Sequence, residues 1–260
     1  MANAALLTDN QALAGVVTAS DQVLTMPASS LLTPHPSERW RSASPAAFFI
    51  LDKGSVQAAD TVMVKGLTAG PNATIRLRLS TADSAGVAAD VFDSGMIANG
   101  SSGFDTDYFA AAWALPAPAA WRYARVDIAD PDNLYVEAGC IVDGLREAFA
   151  YNFAPGSAVQ FVDRSRVATS AAGLSLVWPD NWYRKIDFNF EWVSAGQRYG
   201  MIERMDRVCG RRSNVLLMLD TDSENLARDS IFGLVTDLTP NSYAQAIEIF
   251  GRQLRIEERL

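Results

Sequence analysis

Alternation of apolar and polar residues is the dominant pattern along this chain, and it predicts strands. Thr74–Ser80 alternates strictly, with Ile75, Leu77 and Leu79 on one face. Ala124, Val126 and Ile128 share a face, as do Leu134, Val136, Ala138 and Cys140. Between those runs, Ala129-Asp130-Pro131-Asp132-Asn133 has the composition of a turn. Phe48-Phe49-Ile50-Leu51 is continuously apolar, which predicts a central strand covered on both faces. In the second half, Ile186, Phe188, Phe190 and Trp192 alternate with Asp187, Asn189 and Glu191. Residues 199–205, 215–219 and 231–235 are further strand candidates. Near the end, inward parity passes from Ile247 and Ile249 to Leu254 and Ile256, which predicts a bulge at Gly251. Only Ser223–Ala227 reads as a short helix, with Ser223 as its cap. Short strands at this spacing predict an all-β sandwich architecture.

Periodicity weakens over residues 146–175, where Pro155-Gly156, Asp163–Arg166 and Gly173 supply turn chemistry. That places a domain boundary near residue 148, giving segments 1–29, 30–147 and 148–260. The first segment reads either as an arm that orders on a neighbour or as a first strand with its loop. Charge follows the same division. Residues 1–145 carry a net charge of -7 and residues 146–260 only -1, within a chain of 260 residues and net -8. An acidic chain is a poor match for phosphate backbones, so nucleic acid is excluded as an expected partner. The longest apolar runs fall far short of the ~20 residues that span a bilayer, so no membrane insertion is expected. No Lys or Arg precedes Arg39, which is unlike a secretory leader; synthesis in the cytoplasm is the expectation.

Catalytic chemistry has little to stand on. The single histidine, His35, lies between Pro34 and Pro36, with no second imidazole for a metal pair or a relay. The phosphate-loop, dinucleotide, zinc-protease and nucleophile-elbow patterns are all missing from the sequence. Cys140 and Cys209 read as two buried thiols rather than a bridge. The expectation is a non-enzymatic protein without a cofactor.

Trp40-Arg41-Ser42, Phe49–Gly54, Val62–Leu67, Leu79–Asp83 and Tyr123–Ile128 follow one another in that order. Through them, residues 30–146 resemble a galactose-binding-like, discoidin-type jelly roll. Residues 148–260 are similar to β modules of tailed-phage structural proteins, through Val162–Arg166, Arg184-Lys185 and the closing Ser242–Glu258 pair of strands. Together these resemblances imply a jelly-roll sandwich followed by a tail-protein-like β-sandwich or barrel. They imply a virion location in the tail, with self-association and other tail proteins as partners. The alternative is a carbohydrate-binding module that attaches a particle to host glycans, with a glycan-processing enzyme third. Jelly rolls of this type frequently carry a structural calcium; Asp52/Asp60 and Asp130/Asp132 sit in predicted turns, without a matching ligand set.

Two aromatic groups are candidate binding surfaces. Trp113 and Trp121 flank an Ala/Pro-rich stretch, preceded by Tyr108 and by Asp105 and Asp107. They read either as a sugar site, in which rings stack and carboxylates accept hydroxyl hydrogen bonds, or as core. Trp178, Trp182 and Tyr183 surround Pro179-Asp180-Asn181 and read either as an interface anchor or as internal packing. Arg207, Arg211 and Arg212 belong to a basic cluster that reads as a contact for an acidic neighbour or as a solvated turn.

Overall fold

The computed structural model describes residues 2–98, 110–243 and 248–260. It divides into two compact units. The first takes in the chain up to Ala148 together with Val215–Ser230; the second is Phe149–Asn214 with Ile231–Arg259. The division falls at residue 148, yet one later segment returns to the first unit, which no single cut in the sequence describes.

The first unit opens with β1 (Ala5–Leu7), β2 (Val16–Ala19) and β3 (Trp40–Arg41). The leading residues are thus strands rather than a free arm: β2 pairs with the strand that follows it, at Val16↔Asp52. That strand, β4 (Ala46–Lys65), runs twenty residues. After it come β5 (Thr74–Ser80), β6 (Phe92–Asp93), β7 (Ile97–Ala98) and a second twenty-residue strand, β8 (Ala110–Ala129). The short β9 (Glu137–Ala138), β10 (Cys140–Gly144) and β11 (Glu147–Ala148) complete the series. The main sheet runs β10-β4-β8-β5-β6.

β4 and β8 pair from Ala46↔Ala129 to Asp52↔Tyr123, and again from Thr61↔Ala114 to Lys65↔Ala110. Between these stretches, β4 holds three extra residues from Asp52 to Gln57, and β8 holds three extra between Ala114 and Ala119. Gly54, at φ +78°, serves the first bulge. Pro116 and Pro118 suit the second, because neither can donate to a ladder. One continuous core gathers Phe49, Leu51 and Val126 from one half of these strands with Val62, Val64 and Ala111 from the other, together with Leu77 of β5 and Ile141 of β10. Trp40 is buried against Phe49, edge to face at 5.5 Å, and its indole N–H donates to Asp21 O. The result is a sandwich-like β domain.

Two expectations for this unit need correction. β4 is central, but Phe49 and Leu51 are buried while Phe48 and Ile50 are half-buried, so only one face is fully covered. Pro131 and Asp132 form the expected turn, but Leu134 does not share the buried face of the run that follows. β9 pairs with β3 and β10 with β4, which leaves Leu134 85% exposed while Val136, Ala138 and Cys140 are buried.

In the second unit, β12 (Ala158–Asp163), β13 (Arg166–Thr169), β14 (Ser175–Trp178) and β15 (Trp182–Ser194) come first. β16 (Asn214–Met218) belongs almost wholly to the first unit, where it pairs with β1 at Leu6↔Leu217. β17 (Ser230–Asp237), β18 (Ser242–Tyr243) and β19 (Ile249–Glu258) follow. β19 lies between β15 and β17, and β12 edges β15. Side chains of Phe250, Arg252, Leu254, Ile256 and Glu258 are all turned inward. The parity change predicted at Gly251 therefore occurs opposite it, on β15, as a register shift between Phe190 and Val193. That shift sends Val193 into the core and leaves Trp192 54% exposed, although Trp192 continues the apolar alternation of Ile186, Phe188 and Phe190.

Residues 199–205, expected to be a strand, are helical. Ser194 caps Ala195–Gln197, and wider π turns continue over Arg198–Ile202 and Met205–Cys209. Met201, Ile202, Met205 and Cys209 are the buried positions, a helical spacing rather than alternation. Ser223–Ala227, expected to be a helix, forms successive turns instead. The Asp220 carboxylate accepts from Asp222 N and the Ser223 hydroxyl from Asn225 N, so side chains take the backbone donors. Both cysteines are buried and unbridged. No helix among the described residues is long and apolar enough to cross a membrane.

Arg184 and Glu258 tie β15 to β19. Their side chains are nearly fully buried, with Nε–Oε2 at 2.8 Å and Nη2–Oε1 at 2.6 Å. Removing one partner strands the other charge in the core, so Glu258→Ala is expected to lower stability by about 3–5 kcal/mol, whereas Arg184→Met with Glu258→Leu should lie near wild type. Urea unfolding of the three variants checks both statements.

Candidate functional site

A depression of about 660 Å³ opens on the first unit. Phe92, Ile97 and Ala111–Ala114 form its apolar side, and the turns from Thr221 to Ala227 form its polar side. Those turns are braced from within. The Ser223 hydroxyl donates to Asp229, the Ser230 hydroxyl donates to Leu226 O at 2.6 Å, and Ala2 N donates to Asp220 at 2.8 Å. The bracing leaves Asp222, Glu224 and Asn225 exposed on a fixed frame. Asp93, the neighbour of Phe92 on β6, does not line the depression; it accepts two hydrogen bonds from the Arg76 guanidinium, which hold its carboxyl down at about 2. An apolar wall facing carboxylates and an amide is the chemistry that holds a polyhydroxylated ligand: C–H groups on one side, O–H donors on the other.

Of the residues predicted for a sugar site, Asp105, Asp107 and Tyr108 lie outside the described residues. Trp113 and Trp121 are core side chains, at 7% and 0% exposure. Trp113 reaches the wall of the depression from beneath. Trp121 has no free face, because the Lys53 ammonium sits 3.4 Å from its ring centroid. The turn carrying Asp222, Glu224 and Asn225 was missed by sequence reasoning. Its Asp/Ser/Asn content was a turn signal, read instead as a helix start.

The carboxylates considered for calcium are engaged by protein donors. Asp52 is held by Arg122 at 2.7 and 2.9 Å, and Asp60 accepts from Arg146 N at 2.9 Å. Asp130 accepts from Gly70 N and Asn133, and Asp132 from Asn72. Among the described residues, no group of three His, Cys, Asp or Glu side chains is placed to hold a metal ion.

In the second unit, β13 and β14 form a two-stranded hairpin that is exposed along its length. Val167 and Val177 stand on one face at 67% and 58% exposure; Leu176 and Trp178 stand on the other at 48% and 52%. Trp178, Pro179 and Asp180 also border a depression of about 710 Å³ with Arg166, Val167 and Ala168. Trp182 is partly covered by Phe161, edge to face at 5.2 Å, and Tyr183 stacks beneath Arg164. The interface candidates Trp178, Trp182 and Tyr183 thus share one end of this unit with an apolar hairpin. Arg207 lies on the exposed side of the helical segment, paired with Glu203 one turn away, and Arg211 and Arg212 follow in the turn that ends it.

No family model matches the chain, and no curated protein matches it. Several solved structures are similar to about half of it. The chitosan-binding module 1 of a chitosanase/glucanase from Paenibacillus sp. IK-5 is 16% identical, covering 52% of this chain and 98% of that one, with a TM-score of 0.39. The CBM32 of AlyQ, in complex with 4,5-unsaturated mannuronic acid, is 17% identical over 49% and 92%, with a TM-score of 0.39. A Streptococcus pneumoniae fucose binding module is 10% identical over 53% and 95%, with a TM-score of 0.40. These neighbours are carbohydrate-binding modules.

Burial decides what the two tryptophans do. Trp121→Ala and Trp113→Ala are each expected to destabilise the first unit by about 3–5 kcal/mol through the cavity they leave. Denaturant titration followed by near-UV dichroism measures this, and an unchanged midpoint would show the rings to be surface platforms after all.

Proposed function

We propose that this chain is a non-enzymatic carbohydrate-binding component whose first unit takes a glycan in the depression between Phe92, Ile97 and the Thr221–Ala227 turns. The observation that carries this reading is the pairing of an apolar wall with exposed Asp222, Glu224 and Asn225 on a braced frame. Charge-assisted hydrogen bonds from sugar hydroxyls to a carboxylate contribute about 1.5–3 kcal/mol each, enough for a weak site that gains by multiplicity. The role belongs to binding rather than catalysis, in keeping with a sequence that has one histidine and no nucleophile motif.

The exposed hairpin favours a second, compatible reading, that of an assembling structural component. A lone two-stranded hairpin is marginal in water, and one with apolar side chains on both faces gains stability when covered. Self-association through Val167, Leu176, Val177 and Trp178 would present many weak glycan sites together. A tail component of a phage-like particle is the specific form of this reading that the sequence resemblance implies.

Two measurements test these readings separately. Glycan-array binding by the intact protein, displayed multivalently, is expected to fall at least about ten-fold in Asp222→Ala with Glu224→Ala, with the melting temperature unchanged. Full retention of binding, or no binding by the wild type to any sugar, removes the glycan reading. Sedimentation should show oligomers for the wild type and a shift toward monomer in Val177→Ser with Trp178→Ser; a wild-type monomer at all concentrations removes the assembly reading.

A further inference from the structure

Inside the first unit, away from the depression, Lys53 and Asp143 meet in the core. Both side chains are fully buried, and Nζ lies 3.2 Å from Oδ2. Lys53 continues the inward alternation of Ala47, Phe49 and Leu51 on β4, and β10 brings Asp143 alongside β4 at Val62. The surroundings of the amine are Gln57 O at 3.3 Å, Gln11 Oε1 at 3.4 Å and the Trp121 ring at 3.4 Å. Asp143 N donates to Asn10 Oδ1, but neither carboxyl oxygen accepts a well-directed hydrogen bond. A contact at this distance that lacks hydrogen-bond direction leaves the carboxyl without the partners a buried carboxylate needs. Burial pushes the Asp143 carboxyl up to about 7 and the Lys53 amine down, so both groups move toward their uncharged forms. Asp60, the other carboxylate acting on Asp143, is itself held by Arg146.

We infer that Lys53 and Asp143 form an intramolecular amide cross-link between Nζ and Cγ. The uncharged amine adds its lone pair to Cγ of the protonated carboxyl, forming the N–C bond. One C–O bond of the resulting tetrahedral carbon then breaks. The departing hydroxyl takes one proton from nitrogen and leaves as water, so no oxidant, activator or cofactor is required. The proximity of the two groups replaces a bimolecular encounter with a step inside one folded chain. Trp121 closes the amine side and excludes the water that would reverse it. The link would join β4 to β10 across ninety residues of chain.

Intact-mass measurement of the full chain after folding, followed by tryptic mapping, tests this. The expected result is a chain lighter by one water molecule, no cleavage after Lys53, and a branched peptide joining the Lys53 and Asp143 segments. Lys53→Arg should restore the full mass, and this readout does not depend on the variant's stability. A wild-type mass equal to that of the sequence overturns the inference. So does a water loss confined to Asp143-Gly144 with normal cleavage at Lys53, which marks a cyclic imide, and so does a water loss that persists in Lys53→Arg.

Discussion

Everything in the first unit depends on two matched irregularities in one strand pair. β4 and β8 each carry three extra residues, at different points, so the register lost at one bulge is restored at the next. Neither strand ends at its bulge, and a bulge bends the strand that carries it. One strand pair thus supplies core side chains from both of its ends. The sequence means are ordinary: a left-handed glycine on β4 and two prolines on β8. Lys53 is the last inward residue of the regular alternation before the bulge on β4, and it meets the Trp121 ring there.

Strands were legible wherever one face is buried and the other wet. Thr74–Ser80 and residues 186–190 show this, because period-two burial writes itself directly into composition. Errors came where the pattern was compatible with two periods or was shifted by a bulge. Met201, Ile202 and Met205 fit a strand in a short window, and only Cys209 completes the helical spacing. Trp192 continued an apolar alternation that the register shift before Val193 then broke. Sequence alternation cannot show an extra residue on the partner strand, so the Gly251 irregularity was placed on the wrong side of the ladder.

The candidate site was less legible than the fold. Tryptophans drew attention because large rings serve sugar surfaces and cores alike, and only tertiary burial separates the two. The polar side of the depression comes from residues some hundred positions later in the chain, where nothing local links Asp222 or Glu224 to Phe92. Long-range placement of that kind follows from β16 pairing with β1, a partner choice that neither strand's composition specifies.

That pairing also bears on how the chain is made. The first unit needs Val215–Ser230, yet the ribosome delivers these residues only after most of the second unit. At about 5–20 residues per second, the edge of β1 waits roughly 3.5–14 seconds after Ala148 emerges before its β16 partner, which ends at Met218, exists. During that interval Ala5, Leu6 and Leu7, all buried in the finished protein, present an open strand edge to other nascent chains. Synthesis on crowded polysomes thus exposes this protein to strand exchange between copies, and a holding chaperone would act in that window rather than after release.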